Sequence, residues 1–244
     1  MRKPTFRLIV GPASDGPRNM AVDEAILTAA IEEGDDRPTL RLYGWDPPTL
    51  SVGANAIVPD QVFERCARIG VGFVKRPTGG GAVLHDGDMT YSVVAPHGSM
   101  GVSETYEFVA QGLIASFSTL GIRAEIATHS ARQISLACFA VPTGADIVAS
   151  GAKIVGSAQV RRSGRFLQHG SIPLSDIRVE TARLLGNDQP DKSTFLRAFC
   201  PNITWHDAAQ ALIRGFTEVW GPPERLKALF ELQERLAAGL LAKT

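Results

Sequence analysis

The sequence predicts an α+β fold, a mixed and largely antiparallel β-sheet covered by helices, and three observations point to it. Short alternating apolar and polar runs, separated by Gly-containing turn signals, cluster in the middle of the chain. Helical periodicity dominates both ends. Of the 244 residues, 44% are apolar and 20% charged, enough to bury a full core. The expected organisation is a single domain over 1–244, with a helical C-terminal portion from about 179 to 244.

Phe6 to Val10 reads as a first strand, and Asp15, Gly16 and Pro17 supply a turn and a proline near a helix start. From Asn19 to Glu33, apolar Met20, Ala21, Ile26, Leu27, Ala30 and Ile31 recur near the helical period, and Gly34 closes the helix. Leu40 to Tyr43 and Thr49 to Val52 are short strands around Trp45-Asp46-Pro47-Pro48, where two prolines exclude regular pairing. Asp60 to Ile69 forms a brief helix before the apolar run Val71, Phe73, Val74. Ala82 to His85 and Met89 to Ala95 read as a hairpin turning at Asp86-Gly87.

Ser103 is placed to cap a helix running to about Leu120, with Tyr106, Val109, Leu113 and Phe117 on one face and Gly121 as its stop. Ile122 to Ile126 reads as an edge strand, and 127–144 is the least periodic stretch. Between Asp146 and Leu174 the signals Ser150-Gly151 and Ser163-Gly164 divide alternating runs into an antiparallel meander. Thr181 to Leu185 and Thr194 to Phe199 read as short helices. Thr204 to Trp220 is a longer one with Thr204 and Asp207 spaced as a capping box, and Glu224 to Leu241 a last amphipathic helix.

Equal numbers of basic and acidic residues, 25 each, give no net field to recruit nucleic acid or an anionic membrane. No stretch approaches the roughly 18 apolar residues of a membrane span, so a cytoplasmic place with neither nucleic-acid nor membrane partners is expected. The three cysteines, Cys66, Cys138 and Cys200, show no CxxC spacing and are judged as individual thiols.

The richest stretch runs from Gly70 to Ala95. An apolar run delivers Lys75 and Arg76 into Pro77, Thr78 and the triplet Gly79, Gly80, Gly81 before an alternating strand resumes. Such a triplet is either backbone pressed against a ligand or held at positive φ, or a plain hairpin connection. Neither GxxxxGK[ST] nor a helix-opening GxGxxG is present. His85, Asp86, Asp88 and His169 are metal-ligand types, but strand alternation sets neighbours on opposite faces and no second spaced pair appears, so no metal is expected. Lys153, opening the apolar strand KIVGSA, is either a solvated strand-end lysine or one whose chemistry is set by burial. Cys138 is either a small buried hydrophobe or a thiol nucleophile. Arg161, Arg162 and Arg165 crowd one hairpin, either simply solvated or facing an acidic partner.

Two blocks, KRPTGGGAVLHD and GAKIVGSAQVRRSGRFLQHGSI, resemble in order and separation the signature blocks of the lipoate-protein ligase and octanoyltransferase superfamily. NMAVDEAIL and WDPPTLSVG extend the resemblance more weakly over most of the first 175 residues. It implies the biotin and lipoyl protein ligase type of fold. It further implies that Arg76, Thr78, Gly79, Gly80, Gly81, His85, Gly156, Ser157, Ala158, His169 and Gly170 surround an acyl group, with backbone amides of the Gly loop able to orient a thioester carbonyl. By the same resemblance Lys153 lies beside the acyl group. The segment around Cys138 is similar to the octanoyltransferases that use a cysteine before the family lysine, which makes Cys138 and Lys153 the implied catalytic pair.

The implied reaction moves octanoyl from acyl carrier protein to a lysine of a lipoyl domain or glycine-cleavage H protein through a cysteine acyl-enzyme, with no cofactor. Alternatives are an ATP-dependent lipoate-protein ligase, which would need ATP and Mg, an amidotransferase between lipoyl-bearing proteins, and a non-catalytic acyl-binding module. Lys75 stands where the family usually has the first of two arginines. It loses the planar fork suited to phosphate and so disfavours the ligase.

Overall fold

A computed structural model describes residues 5–127, 146–187, 191–226 and 231–242. The chain opens with strand β1 (Phe6–Val10) and helix α1 (Gly16–Glu33). The Asp15 carboxylate accepts from Arg18 N, Pro17 sits in the first turn, and Gly34 ends the helix at φ 67°. Then follow β2 (Thr39–Tyr43), β3 (Thr49–Val52), α2 (Asp60–Arg68), β4 (Gly72–Lys75), β5 (Ala82–His85) and β6 (Met89–Pro96). Helix α3 (Val102–Thr119) leads to β7 (Ala124–Ile126), β8 (Ile147–Ala149), β9 (Ala152–Arg162) and β10 (Arg165–Ile172). The described chain closes with α4 (Arg178–Leu185), α5 (Trp205–Trp220), β11 (Pro223–Leu226) and α6 (Glu231–Leu241).

Among the described residues eight strands form one mixed sheet, ordered β11-β1-β2-β6-β10-β9-β8-β7, and three form a second, β4-β3-β5. The large sheet is parallel at its β11-β1-β2 end and antiparallel from β2 onward. This is the α+β arrangement that the residue patterns predict.

Alternation gives the central strands two different buried faces. Leu40 and Leu42 of β2, Met89, Tyr91, Val93 and Ala95 of β6, and Phe166 and Ile172 of β10 share a core with Val109, Leu113 and Phe117 of α3 and Leu212 and Phe216 of α5. The opposite face carries Arg41 and Tyr43, Thr90 and Ser92, and His169 and Ser171, all buried. Register sets Arg41, Ser92, His169 and Ala158 in one row and Tyr43, Thr90, Ser171 and Gly156 in the next. This second face is polar although covered, and it builds the candidate site.

Four sequence expectations change. Asp86-Gly87 does not close a hairpin: β5 pairs with β3 in the small sheet and β6 with β2 and β10 in the large one, so the turn is a corner between sheets. Helix α3 begins after Gly101, not Ser103, because Glu104 reaches back to Gly101 N at 2.6 Å. Of Thr194 to Phe199 only Leu196–Ala198 is helical, as a single 3₁₀ turn. Glu224 to Leu226 belongs not to the last helix but to β11, whose backbone pairs in parallel with β1.

Candidate functional site

A pocket lies on the polar face, between the β6, β9 and β10 rows of the large sheet and the small sheet. Met20, Tyr43, Trp45 and Val83 supply apolar wall, and Ser51, Arg76, His85, Thr90, His169 and Ser171 supply polar groups. Gly156, Ser157, Ala158 and Gly170 complete it from β9 and β10. A Cβ at Gly170 would stand 2.6 Å from the Tyr91 ring and 2.8 Å from Gly156 O, so only glycine admits this close packing.

The Gly loop reaches the site through a topological constraint. Strands β4 and β5 flank β3 on opposite sides, so residues 76–81 must cross the end of β3, where Gly53 lies. A Cβ on Gly53 would fall 2.2 Å from Gly80 O and 2.7 Å from Gly79 C, whereas one on Gly79 would meet nothing within 4 Å. Gly80 holds φ at 94°, a region open to glycine. Arg76 is buried and fastens the crossing: Nη1 donates to Ser51 O and Oγ at 2.9 and 2.8 Å, and Nη2 to Gly79 O and Gly81 O at 3.1 and 2.8 Å. Gly79 and Gly80 are exposed; Thr78 and the triplet stand outside the pocket lining.

Thr78 acts through a neighbour. Its hydroxyl lies 2.7 Å from His169 Nε2, and His169 Nδ1 lies 3.3 Å from Asp23 Oδ2. The carboxylate only accepts, so Nδ1 carries the proton and Nε2 accepts from Thr78. Asp23, fully buried on α1, also accepts from Arg41 Nη1 at 2.6 Å, Ser92 Oγ at 2.8 Å and Tyr43 OH at 2.9 Å. Burial alone would raise its pKa, but the Arg41 charge and the His169 and Ser92 bonds outweigh burial and hold it at about 2. For His169 burial dominates and pushes the pKa below the usual 6.5 despite the Asp23 partner, keeping the ring neutral.

A second chain of the same type crosses the pocket wall. Ser51 Oγ stands 2.7 Å from His85 Nε2, and His85 Nδ1 stands 2.9 Å from Asp88 Oδ2. The His85 ring stacks on Trp45 with centroids 4.0 Å apart. Asp88 Oδ2 also accepts from Thr90 Oγ1 at 2.8 Å and Ser171 Oγ at 2.6 Å, and Thr90 in turn accepts from Trp45 Nε1 at 2.8 Å. His85 and Asp88 meet because the corner at residues 86–87 folds them together. Among the described residues no three His, Cys, Asp or Glu are placed to hold a metal ion.

Lys153 is buried on β9, its Nζ 2.9 Å from Asp146 Oδ2 at the entry to β8. It does not line the pocket, although Gly156 three residues on does. Cys138 falls outside the described residues. Cys66 is buried in α2, where burial pushes its thiol pKa up, and Cys200 is half-buried with Sγ 3.7 Å from Leu120 O. Arg161, Arg162 and Arg165 are all engaged within the chain, on Thr105 and the Met100 and Gly101 carbonyls, on Glu24, and on Asp36 and Asp35 O respectively. Among the described residues no helix is long and apolar enough to cross a membrane.

The residue patterns did not single out Asp23, Arg41, Ser51, Thr90, Ser92 or Ser171 as members of the site. A signal for Asp23 was present: it lies three residues after Met20 and four before Leu27, on the apolar stripe of α1. The strand residues are small polar groups whose common face appears only once the pairing is known.

Residues 15–217 match the lipoyl protein ligase A/B catalytic domain family. The octanoyltransferase LipM of Kyrpidia tusciae is 45% identical over 182 residues, covering 70% of this chain and 66% of that protein. The octanoyltransferase LipM of Symbiobacterium thermophilum is 34% identical over 259 residues, covering 97% and 94%. A solved T. acidophilum structure with bound lipoic acid superposes at a TM-score of 0.83 with 25% identity, covering 98% of this chain and 95% of its own.

Proposed function

The chain belongs to the lipoyl protein ligase A/B catalytic domain family, and from that premise we propose that it is an octanoyltransferase of lipoate assembly. One observation carries the reading. The two motif blocks meet across one pocket, in a chain 34–45% identical to relatives that are octanoyltransferases.

The octanoyl chain lies against Met20, Trp45 and Val83, and its thioester end faces the polar wall. Cys138 attacks the thioester carbonyl of octanoyl-acyl carrier protein; the bond to the carrier sulfur breaks, and the carrier thiol leaves with a proton. The lysine amine of a lipoyl domain or glycine-cleavage H protein then attacks the octanoyl-enzyme, loses a proton, and displaces the Cys138 sulfur to give the amide. Both steps stay at the thioester level, so neither consumes ATP. Lys153, held by its ion pair with Asp146, is the residue that favours the thiolate form of Cys138. Arg76 holds the Gly loop in place, and the cytoplasmic location expected from the sequence belongs to the same reading.

The test combines octanoyl-acyl carrier protein with an apo lipoyl domain in the absence of ATP. Octanoylated lipoyl domain is expected with the wild type and with Cys66→Ala and Cys200→Ala, and none with Cys138→Ala. Transfer that requires ATP and free octanoate, or that survives Cys138→Ala, contradicts the reading.

A further inference from the structure

The second half-reaction needs a group that removes a proton from the attacking amine, and the polar wall holds one. We propose that Ser51, His85 and Asp88 form a proton relay that serves the acceptor amine, with Ser51 Oγ as the contact to substrate and His85 as the base acting through it. The inference rests on the transferase reading above.

Hydrogen-bond direction sets the relay. Asp88 accepts from His85 Nδ1–H, leaving Nε2 as acceptor for the Ser51 hydroxyl. The nearer His85 ring, at 2.7 Å, takes that hydroxyl proton in preference to Val83 O at 3.5 Å. One Ser51 lone pair receives Arg76 Nη1–H, and the other remains for an N–H from a molecule in the pocket, whose wall Ser51 forms. When the amine attacks the thioester, its N–H passes to Ser51 Oγ as the Ser51 proton passes to His85 Nε2. The amide bond forms, the C–S bond breaks, and the electron pair leaves on the thiolate. The imidazolium then gives its Nε2 proton back to Ser51 Oγ, whose own proton leaves to the departing thiolate or to water, so the relay ends unchanged.

A second, independent observation concerns Asp88. Among the described residues, Asp88 is 1% exposed, its Oδ1 has no hydrogen-bond partner, and no Arg or Lys pairs with it. A buried carboxylate left without a cation is costly, and an imidazolium at His85 supplies that cation during turnover. The other charged or titratable groups facing His85 are Arg76 across Ser51, His169 from β10 and Tyr43 from β2. Arg76 and a protonated His169 would oppose the charge, and the low proton affinity of His169 keeps it neutral.

The test isolates octanoyl-enzyme and mixes it with an apo lipoyl domain in single-turnover experiments from pH 6 to 10. Acylation by octanoyl-acyl carrier protein is timed separately. His85→Asn keeps an amide N–H for Asp88 and removes the base, and Ser51→Ala breaks the relay at its other end. Each is expected to slow transfer at pH 7 by about 10²–10⁴-fold, at least about tenfold more than it slows acylation. The loss is expected to shrink towards pH 10, where hydroxide takes the amine proton without the relay. Equal losses in both steps, or a variant whose transfer keeps the wild-type pH profile, overturn the relay. A wild type that forms no octanoyl-enzyme overturns the transferase reading itself, and the relay with it.

Discussion

His169 and His85 each stand between a hydroxyl and a buried carboxylate, yet the two carboxylates have different surroundings. Asp23 is bonded on both oxygens and carries an arginine at 2.6 Å, so its charge is answered before His169 is counted. Asp88 gathers His85, Thr90 and Ser171 on one oxygen, and among the described residues no Arg or Lys pairs with it. The first chain is a closed brace that ties α1 to β2, β6 and β10. The second has a charge left to share, which suits it to hold a proton in transit. Motifs of one composition thus divide into scaffold and chemistry according to what neutralises the carboxylate.

The largest effect should come from opening the brace. Asp23→Ala leaves Arg41 buried without its carboxylate, and a loss of about 3–5 kcal/mol in urea unfolding is expected. Asp88→Asn strands no arginine and should cost about 1–3 kcal/mol while reducing transfer far more than its stability loss explains. Equal destabilisation by the two substitutions would erase the distinction.

Acid should discriminate next. The unfolded Asp23 pKa is near 3.8 and the folded one about 2, so its contribution is fully present above pH 3.8 and is lost as pH falls towards 2. The full loss amounts to about 2 kcal/mol. His169 acts earlier: below pH 6.5 the unfolded chain takes up a proton that the folded ring resists, so stability declines from there down to the folded pKa. Thermal unfolding should show both declines, and His169→Gln should remove the upper one. A wild type that gains stability between pH 7 and 5 would contradict the neutral buried His169.

The loop that carries Arg76 and Thr78 serves both chains, and its glycines should not be equivalent. Gly53→Ala forces a Cβ against the Gly79 and Gly80 backbone and is expected to cost about 1–3 kcal/mol and to impair activity. Gly79→Ala faces open space and should stay within about 0.5 kcal/mol. Similar unfolding midpoints for the two would mean that the crossing at Gly53 is looser than its geometry.

Much of this arrangement was legible in the residues. Period-two alternation marked β1, β2, β3, β5 and β6, and cap chemistry at Thr204 and Asp207 marked α5, because both are local signals. Partner choice is not local. Asp86-Gly87 has the residues of a hairpin turn, and only the long-range pairing of β5 with β3 makes it a corner. Pro223–Leu226 is a strand because β1 offers it an edge, against a pattern that continues helically into α6. The same holds at the site. His85, His169 and Arg76 were visible through their motif blocks, whereas Ser51, Thr90, Ser92 and Ser171 are ordinary strand residues until register stacks them on one face. Asp88 was noted among the metal-ligand types, but its bond to His85 appears only once the corner at residues 86–87 is known.

The central claim is a covalent octanoyl-enzyme on Cys138. The most direct measurement is intact mass followed by peptide mapping after incubation with octanoyl-acyl carrier protein without ATP. The expected result is one octanoyl adduct, on the peptide containing Cys138, removed by hydroxylamine and discharged on adding an apo lipoyl domain. An unmodified enzyme that still octanoylates the lipoyl domain, or an adduct confined to Cys66 or Cys200, would contradict the account.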